Sequence, residues 1–163
     1  MNTTSKFTAS PFFVPKLMTF DYRLIDDAIR RLIDGSCCLT GEEQMAIADL
    51  FEKLRNAVLD HVGLEEEIVF PILEKDPPGI NVAEFVGRMR QEHTQLSELL
   101  AAAKVELDDA HGIAFRAVLR EFHAALGSHR KLELEIHFAK IVSDLGNERV
   151  VRVMERSLDG FIG

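Results

Sequence analysis

Two stretches of the chain pair a histidine with a glutamate four residues further on: His61 with Glu65, and His129 with Glu133. On a helix that spacing sends both side chains off one face, one turn apart, so each pair can grip one ion. The likeness extends beyond the pairs. HVGLEEEIVF from His61 and HRKLELEIHF from His129 match in register, 68 residues apart, through Leu64 and Leu132, Glu67 and Glu135, Ile68 and Ile136, and Phe70 and Phe138. A weaker match, 71 residues apart, sets FDYRLI around Tyr22 opposite QEHTQL around His93. Two helical hairpins related by an approximate twofold are implied, with a site built on the axis from matching positions.

The flanking periodicity points these groups inward. Leu54, Val58, His61, Glu65, Ile68 and Ile72 form one stripe, and Phe122, Leu126, His129, Glu133 and Ile136 form another. Burying ionised carboxylates among aliphatics costs on the order of several kcal/mol each unless something pairs them. The pattern offers no evident inward Lys or Arg, so a multivalent cation is the expected compensation. Alone, His93 reads as a hydrogen-bonded core histidine; beside His61, His129, Glu65 and Glu133 in duplicated register, it reads as a ligand. His111 falls in a turn and His123 off its stripe, which makes both surface groups. His137, one turn past Glu133, reads as exposed, with a place at the rim of the site as the alternative.

The donor set narrows the metal. Structural zinc prefers tetrahedral Cys- or His-rich sites, and calcium or magnesium all-oxygen cages. Mixed imidazole and carboxylate suits iron, with manganese second, and two carboxylates able to bridge point to a dinuclear centre. Ferritin-like di-iron bundles use Glu-x-x-His motifs, and this chain contains none.

The elements that must position these residues are helices, and strand signals are almost absent. A Pro-punctuated N-terminal arm ends at Pro15. The first helix, from Lys16 to Ile33, puts Tyr22, Ile25, Ile29 and Ile33 on one face and stops at Asp34-Gly35-Ser36. The second begins at Thr40, with a capping box through Glu43, and runs to Lys75, before Asp76-Pro77-Pro78-Gly79. Asn81 with Glu84 starts the third, which carries Val86, Met89, His93, Leu96 and Leu100 before the break at Asp108 to Gly112. The fourth spans about Ile113 to Val142, and a short fifth follows over about 147–158. The expected fold is an all-α, antiparallel up-down-up-down four-helix bundle in a single domain over 1–163, with the bundle core at about 16–143.

Composition agrees. The 163 residues carry 19 Lys plus Arg against 27 Asp plus Glu, a formal net charge of −8, and no basic cluster. Nucleic acid and anionic membrane surfaces are therefore poor partners, while small molecules and cations fit. Adjacent Cys37 and Cys38 make neither a disulfide framework nor a zinc site. No secretory or transit pattern and no run of roughly 20 apolar residues is present, so a cytoplasmic protein is expected.

From Phe20 to Lys140 the chain resembles the hemerythrin-like (HHE) cation-binding family. The resemblance rests on His61, Glu65 and Glu66 followed by Phe70-Pro71, on Glu92-His93, and on His129 with Glu133. It implies a non-haem pair of iron ions with an oxo or hydroxo bridge, His61, His93 and His129 as terminal ligands, and Glu65 and Glu133 as bridging carboxylates. The chain departs from the family in the first helix, where Asp21-Tyr22-Arg23-Leu24-Ile25-Asp26 puts Tyr22, the chain's one tyrosine, in the place of the usual histidine. Either the Tyr22 phenolate ligates iron, or one iron takes water there, or the site holds a single metal; the alternative to ligation is an aromatic core residue hydrogen-bonded by its hydroxyl. Asp26 is a fallback ligand or a partner behind one, and Asp21 a weaker one. A hard phenolate stabilises ferric iron, which shifts the expectation, for a protein that binds or reacts with dioxygen, peroxide or nitric oxide, from reversible oxygen carriage towards peroxide or nitric oxide chemistry, or sensing of those species or of iron. A sensory or interaction module, in which iron or redox state changes helix packing for a protein partner, is the second reading. A histidine phosphotransfer bundle is the third, and inward histidines argue against it.

Overall fold

A computed structural model describes residues 13–36, 41–75 and 81–135. All described elements are helices, and no strand occurs among the described residues. They are α1 (Phe13–Gly35), α2 (Gly41–Leu64), a π-helical turn (Glu65–Val69), α3 (Phe70–Lys75), α4 (Val82–Asp108) and α5 (Gly112–Glu135). The start predicted at Thr40, Cys37 and Cys38, the Pro77-Pro78-Gly79 stop, His137 and the short helix predicted over 147–158 lie outside the described residues.

The first helix starts three residues before the predicted Lys16, at Phe13, so Pro15 lies in its first turn. A proline is tolerated there because the first amides of a helix have no partner within it. Asn81 caps α4 as its position predicts: its side-chain oxygen accepts from the Glu84 amide at 3.3 Å, and its amide nitrogen donates to the Glu84 carboxylate at 2.9 Å. At the other end of α4 the chain reverses through Ala110, at φ 57°. Gly112 follows where a Cβ would stand 2.6 Å from the Ser36 carbonyl oxygen, so only glycine lets the start of α5 lie this close to the end of α1.

Helix α4 packs on α5, α1 on both α2 and α5, and α2 and α3 on α4. One apolar cluster joins Ile25, Ile29 and Leu32 of α1 to Phe51 and Leu54 of α2, Leu96 and Leu100 of α4, and Phe115, Leu119 and Phe122 of α5. The Phe51 and Phe115 rings meet edge to face at 5.6 Å. Each such buried side chain contributes roughly 1.5–3 kcal/mol. The predicted stripe of α1 turns by one residue at its end, where Leu32 is buried and Ile33 half-buried. The stripe predicted for α4 is buried throughout, from Val86 to Leu100.

The second predicted helix is not regular. Between α2 and α3 the backbone stays in the right-handed helical region, but it widens so that the Phe70 amide donates to the Glu65 carbonyl, five residues back. Pro71 gives the physical reason: it has no amide to donate, and in a regular helix its ring would collide with the carbonyl of Glu67. Five residues of α-helix would leave Phe70 about 140° from Glu65. The wider turn brings the two towards one face, and both are fully buried.

Candidate metal centre

Each helix delivers its chemistry where it leaves the apolar cluster. Tyr22 precedes Ile25 in α1, His61 and Glu65 follow Val58, His93 precedes Leu96 in α4, and His129 and Glu133 follow Leu126 in α5. A second group of buried apolar residues, including Phe70, Leu73, Val86 and Met89, flanks the site further along α3 and α4. Glu65, His93, His129 and Glu133 are buried, whereas His61 is half-buried.

His61, Glu65, His129 and Glu133 each present one donor atom, and these four atoms lie within 4.8 Å of one another. His61 Nε2 is 2.9 Å from Glu133 Oε1 and 4.0 Å from Glu65 Oε2. His129 Nε2 lies 3.4 Å from Glu65 Oε2 and 3.5 Å from Glu133 Oε1. His93 joins through Glu65, with Nε2 2.8 Å from Oε2. The Tyr22 hydroxyl donates to Glu133 Oε2 at 2.5 Å and stands 3.2 Å from His61 Nε2. All six residues singled out in the sequence therefore meet at one place.

Asp26 does not join them. It pairs instead with His123 at 3.3 Å and Arg130 at 3.4 Å, away from the clustered donors. Arg130 pairs with neither Glu65 nor Glu133, but its guanidinium lies over the Tyr22 ring, 4.6 Å from the centroid. A charged residue one position after His129 gives no sign in the periodicity that it will fold back over an aromatic ring on α1.

Two carboxylates that the sequence motifs contain, but to which spacing assigned no role, stand behind the histidines. Glu66 Oε1 is 2.8 Å from His93 Nδ1, and Glu92 Oε2 is 3.3 Å from His129 Nδ1. A carboxylate on the far nitrogen of a histidine fixes the ring and leaves the other nitrogen to a metal. The doubled glutamate after His61 and the glutamate before His93 are the signals that mark them.

The electrostatics follow from burial and proximity. Burial opposes charge on His61, yet the Glu65 and Glu133 carboxylates outweigh it and raise its pKa to about 9. His129 is likewise disfavoured by burial and raised to about 10 by Glu133 and Glu65. Burial pushes the Glu133 carboxyl up, but His129 and His61 hold it well below the usual carboxylate range. The Tyr22 phenol is pushed well above its ordinary value by burial and by the adjacent Glu133. Without a cation, two imidazolium ions thus offset the two carboxylates.

The donors fit a cation. Glu65 Oε1 and His129 Nε2, the ring nitrogen on the side of Glu65 and Glu133, are buried with no hydrogen-bond partner among the described residues. Orphaned buried polar atoms are costly, and an ion held by imidazole and carboxylate would satisfy them. Mixed nitrogen and oxygen donors suit a transition-metal cation.

Helices throughout the described residues and a buried imidazole and carboxylate cluster that could hold an ion define a helical protein with a candidate cation site. The hemerythrin HHE cation-binding domain matches residues 22–141, and the chain belongs to that family. Searches of curated proteins and of solved structures found no match. Among the described residues, no helix is long and apolar enough to cross a membrane.

Proposed function

We propose that the chain is a non-haem di-iron protein that binds or reacts with a small ligand, dioxygen, peroxide or nitric oxide. The observation that carries this is the meeting of His61, Glu65, His129 and Glu133 donors within 4.8 Å, with a buried imidazole nitrogen, His129 Nε2, and a carboxylate oxygen, Glu65 Oε1, otherwise unsatisfied. His61, His93 and His129 are terminal ligands in this reading, and Glu65 and Glu133 bridge. Bound iron would supply a redox-active centre with an open position for the small ligand. Tyr22 offers a phenol oxygen on the His61 side, where the usual histidine is missing; Glu133 Oε2, already accepting the hydroxyl proton, is the first base to which that proton can pass. Glu66 orients His93 from behind through a hydrogen bond, and Glu92 stands behind His129 at ion-pair distance without one. The buried residues on either side, Val58 and Leu126 before the site and Phe70 and Met89 beyond it, restrict water. The scaffold in this proposal is a single up-down-up-down bundle of four antiparallel helices.

The test removes one ligand of each type. His61→Ala and Glu133→Ala should each lower iron affinity by at least about tenfold. Chelation should lower the thermal midpoint of the unaltered chain and leave that of the variants nearly unchanged, because metal bound only to the native state adds to folding free energy. Metal analysis and thermal unfolding read both effects. Unchanged metal content in both variants would contradict the ligand assignment.

A further inference from the structure

Arg90 is an exposed residue of α4 in which the sequence shows nothing unusual. Its Nε donates to Glu66 Oε2 at 3.0 Å, and its Nη1 donates to Glu74 Oε1 at 3.3 Å. Its guanidinium lies over the Phe70 ring, 5.6 Å from the centroid. His93 also contacts Phe70, its ring stacked on the phenyl ring at 5.5 Å with 12° between the planes. Glu66 returns to the same histidine through Oε1, 2.8 Å from Nδ1. Arg90, Glu66, His93 and Phe70 thus close a ring of contacts in which Arg90 touches both groups that hold His93.

We propose that Arg90 is a positioning residue for His93, fixing from the surface which ring nitrogen faces the centre. This rests on the reading of His93 as an iron ligand. A neutral imidazole binds a metal through its unprotonated nitrogen, so Nε2 can face the centre only if the proton stays on Nδ1. Glu66 holds that proton, but its side chain is 32% exposed and free to turn into water. Arg90 prevents this by gripping the second carboxylate oxygen, and the fork geometry of a guanidinium lets it reach Glu74 with another nitrogen. The same planar group lies against Phe70, which limits rotation of the His93 ring. An ordinary exposed ion pair contributes little to stability, so the consequence of this arrangement is expected at the metal and not in the fold.

The experiment measures anaerobic Fe(II) affinity and metal-free thermal midpoint for the full chain and for Arg90→Ala, Arg90→Lys, Glu66→Ala and the double variant Arg90→Ala with Glu66→Ala. Arg90→Ala should weaken Fe(II) binding about tenfold, the lower end of the effect of such outer groups, with the metal-free midpoint nearly unchanged. Arg90→Lys, which keeps a charge for Glu66, should recover part of the loss. The double variant should bind no more weakly than Glu66→Ala alone, since both substitutions break one linkage. Nitrogen NMR of the metal-free chain supplies a readout independent of iron: protonation of His93 at Nδ1, 2.8 Å from Glu66, should fall relative to Nε2, 2.8 Å from Glu65, in Arg90→Ala. Full affinity in Arg90→Ala, or losses that add in the double variant, would overturn the role of Arg90 alone. Failure of the unaltered chain to bind Fe(II) would overturn the ligand reading and this one with it.

Discussion

At the scale of the residue, Tyr22 separates this site most clearly from the histidine-rich shell its family resemblance implies. The substitution was legible in FDYRLI, but the use of the hydroxyl was not, because the hydrogen bond to Glu133 joins residues 111 apart. Glu66 and Glu92 were legible in the same limited sense: their positions in the motifs were plain, while their partners on other helices were not. Asp26, read as a fallback ligand or a partner behind one, has its described side-chain partners on another helix. It lies one turn from Tyr22, yet neighbours on α5, His123 and Arg130, hold it elsewhere. If the Tyr22 oxygen ligates ferric iron, the iron-loaded chain should show a phenolate-to-iron charge-transfer band that Tyr22→Phe abolishes while retaining iron. The metal-free variant should lose on the order of 1 kcal/mol of stability through the missing hydrogen bond. An optical spectrum identical in the two proteins would contradict phenolate ligation.

At the scale of the element, periodicity located the inward face wherever the helix is regular, as from Val86 to Leu100 in α4 and from Phe122 to Glu133 in α5. It gave no sign of the widening itself, because Pro71 acts on the backbone four residues before it and not through its own burial pattern; the predicted stripe continues at Ile68 and Ile72, whose side chains lie outside the described ones. From Val69 on the described buried residues are Val69, Phe70 and Leu73, of which Phe70 stands off the α-helical stripe through Glu65. The π turn therefore joins two registers, one that buries Glu65 and one that puts Phe70 against His93. Pro71→Ala removes the steric cause. Metal-free stability should rise by on the order of 1 kcal/mol as a regular hydrogen bond is regained, while Fe(II) affinity should fall severalfold as Phe70 turns from His93. Denaturant unfolding and Fe(II) titration would measure the two; unchanged affinity would show that the turn does not serve the site.

At the scale of the whole molecule, the excess of acidic residues acquires a physical location. Part of it, Glu65 on the π turn and Glu133 on α5, is buried, as the inward stripes predicted. The way the metal-free chain tolerates those charges was not legible: the raised pKa values of His61 and His129 arise from carboxylates on two different helices, which only the assembled fold brings together. A cation entering the cluster must displace protons from those histidines, so metal affinity rises with pH across the range where they titrate. All-helical character was readable from periodicity, and membership of the hemerythrin HHE cation-binding family over 22–141 agrees with the motifs that suggested it. The central claim, that the buried imidazole and carboxylate cluster is a two-iron site, is tested most directly by counting iron. The chain is stripped with chelator, given Fe(II) anaerobically, desalted and analysed for metal per protein. The expected result is about two irons per chain, as for other di-iron carboxylate bundles; less than about one, with no other transition metal retained, would contradict it.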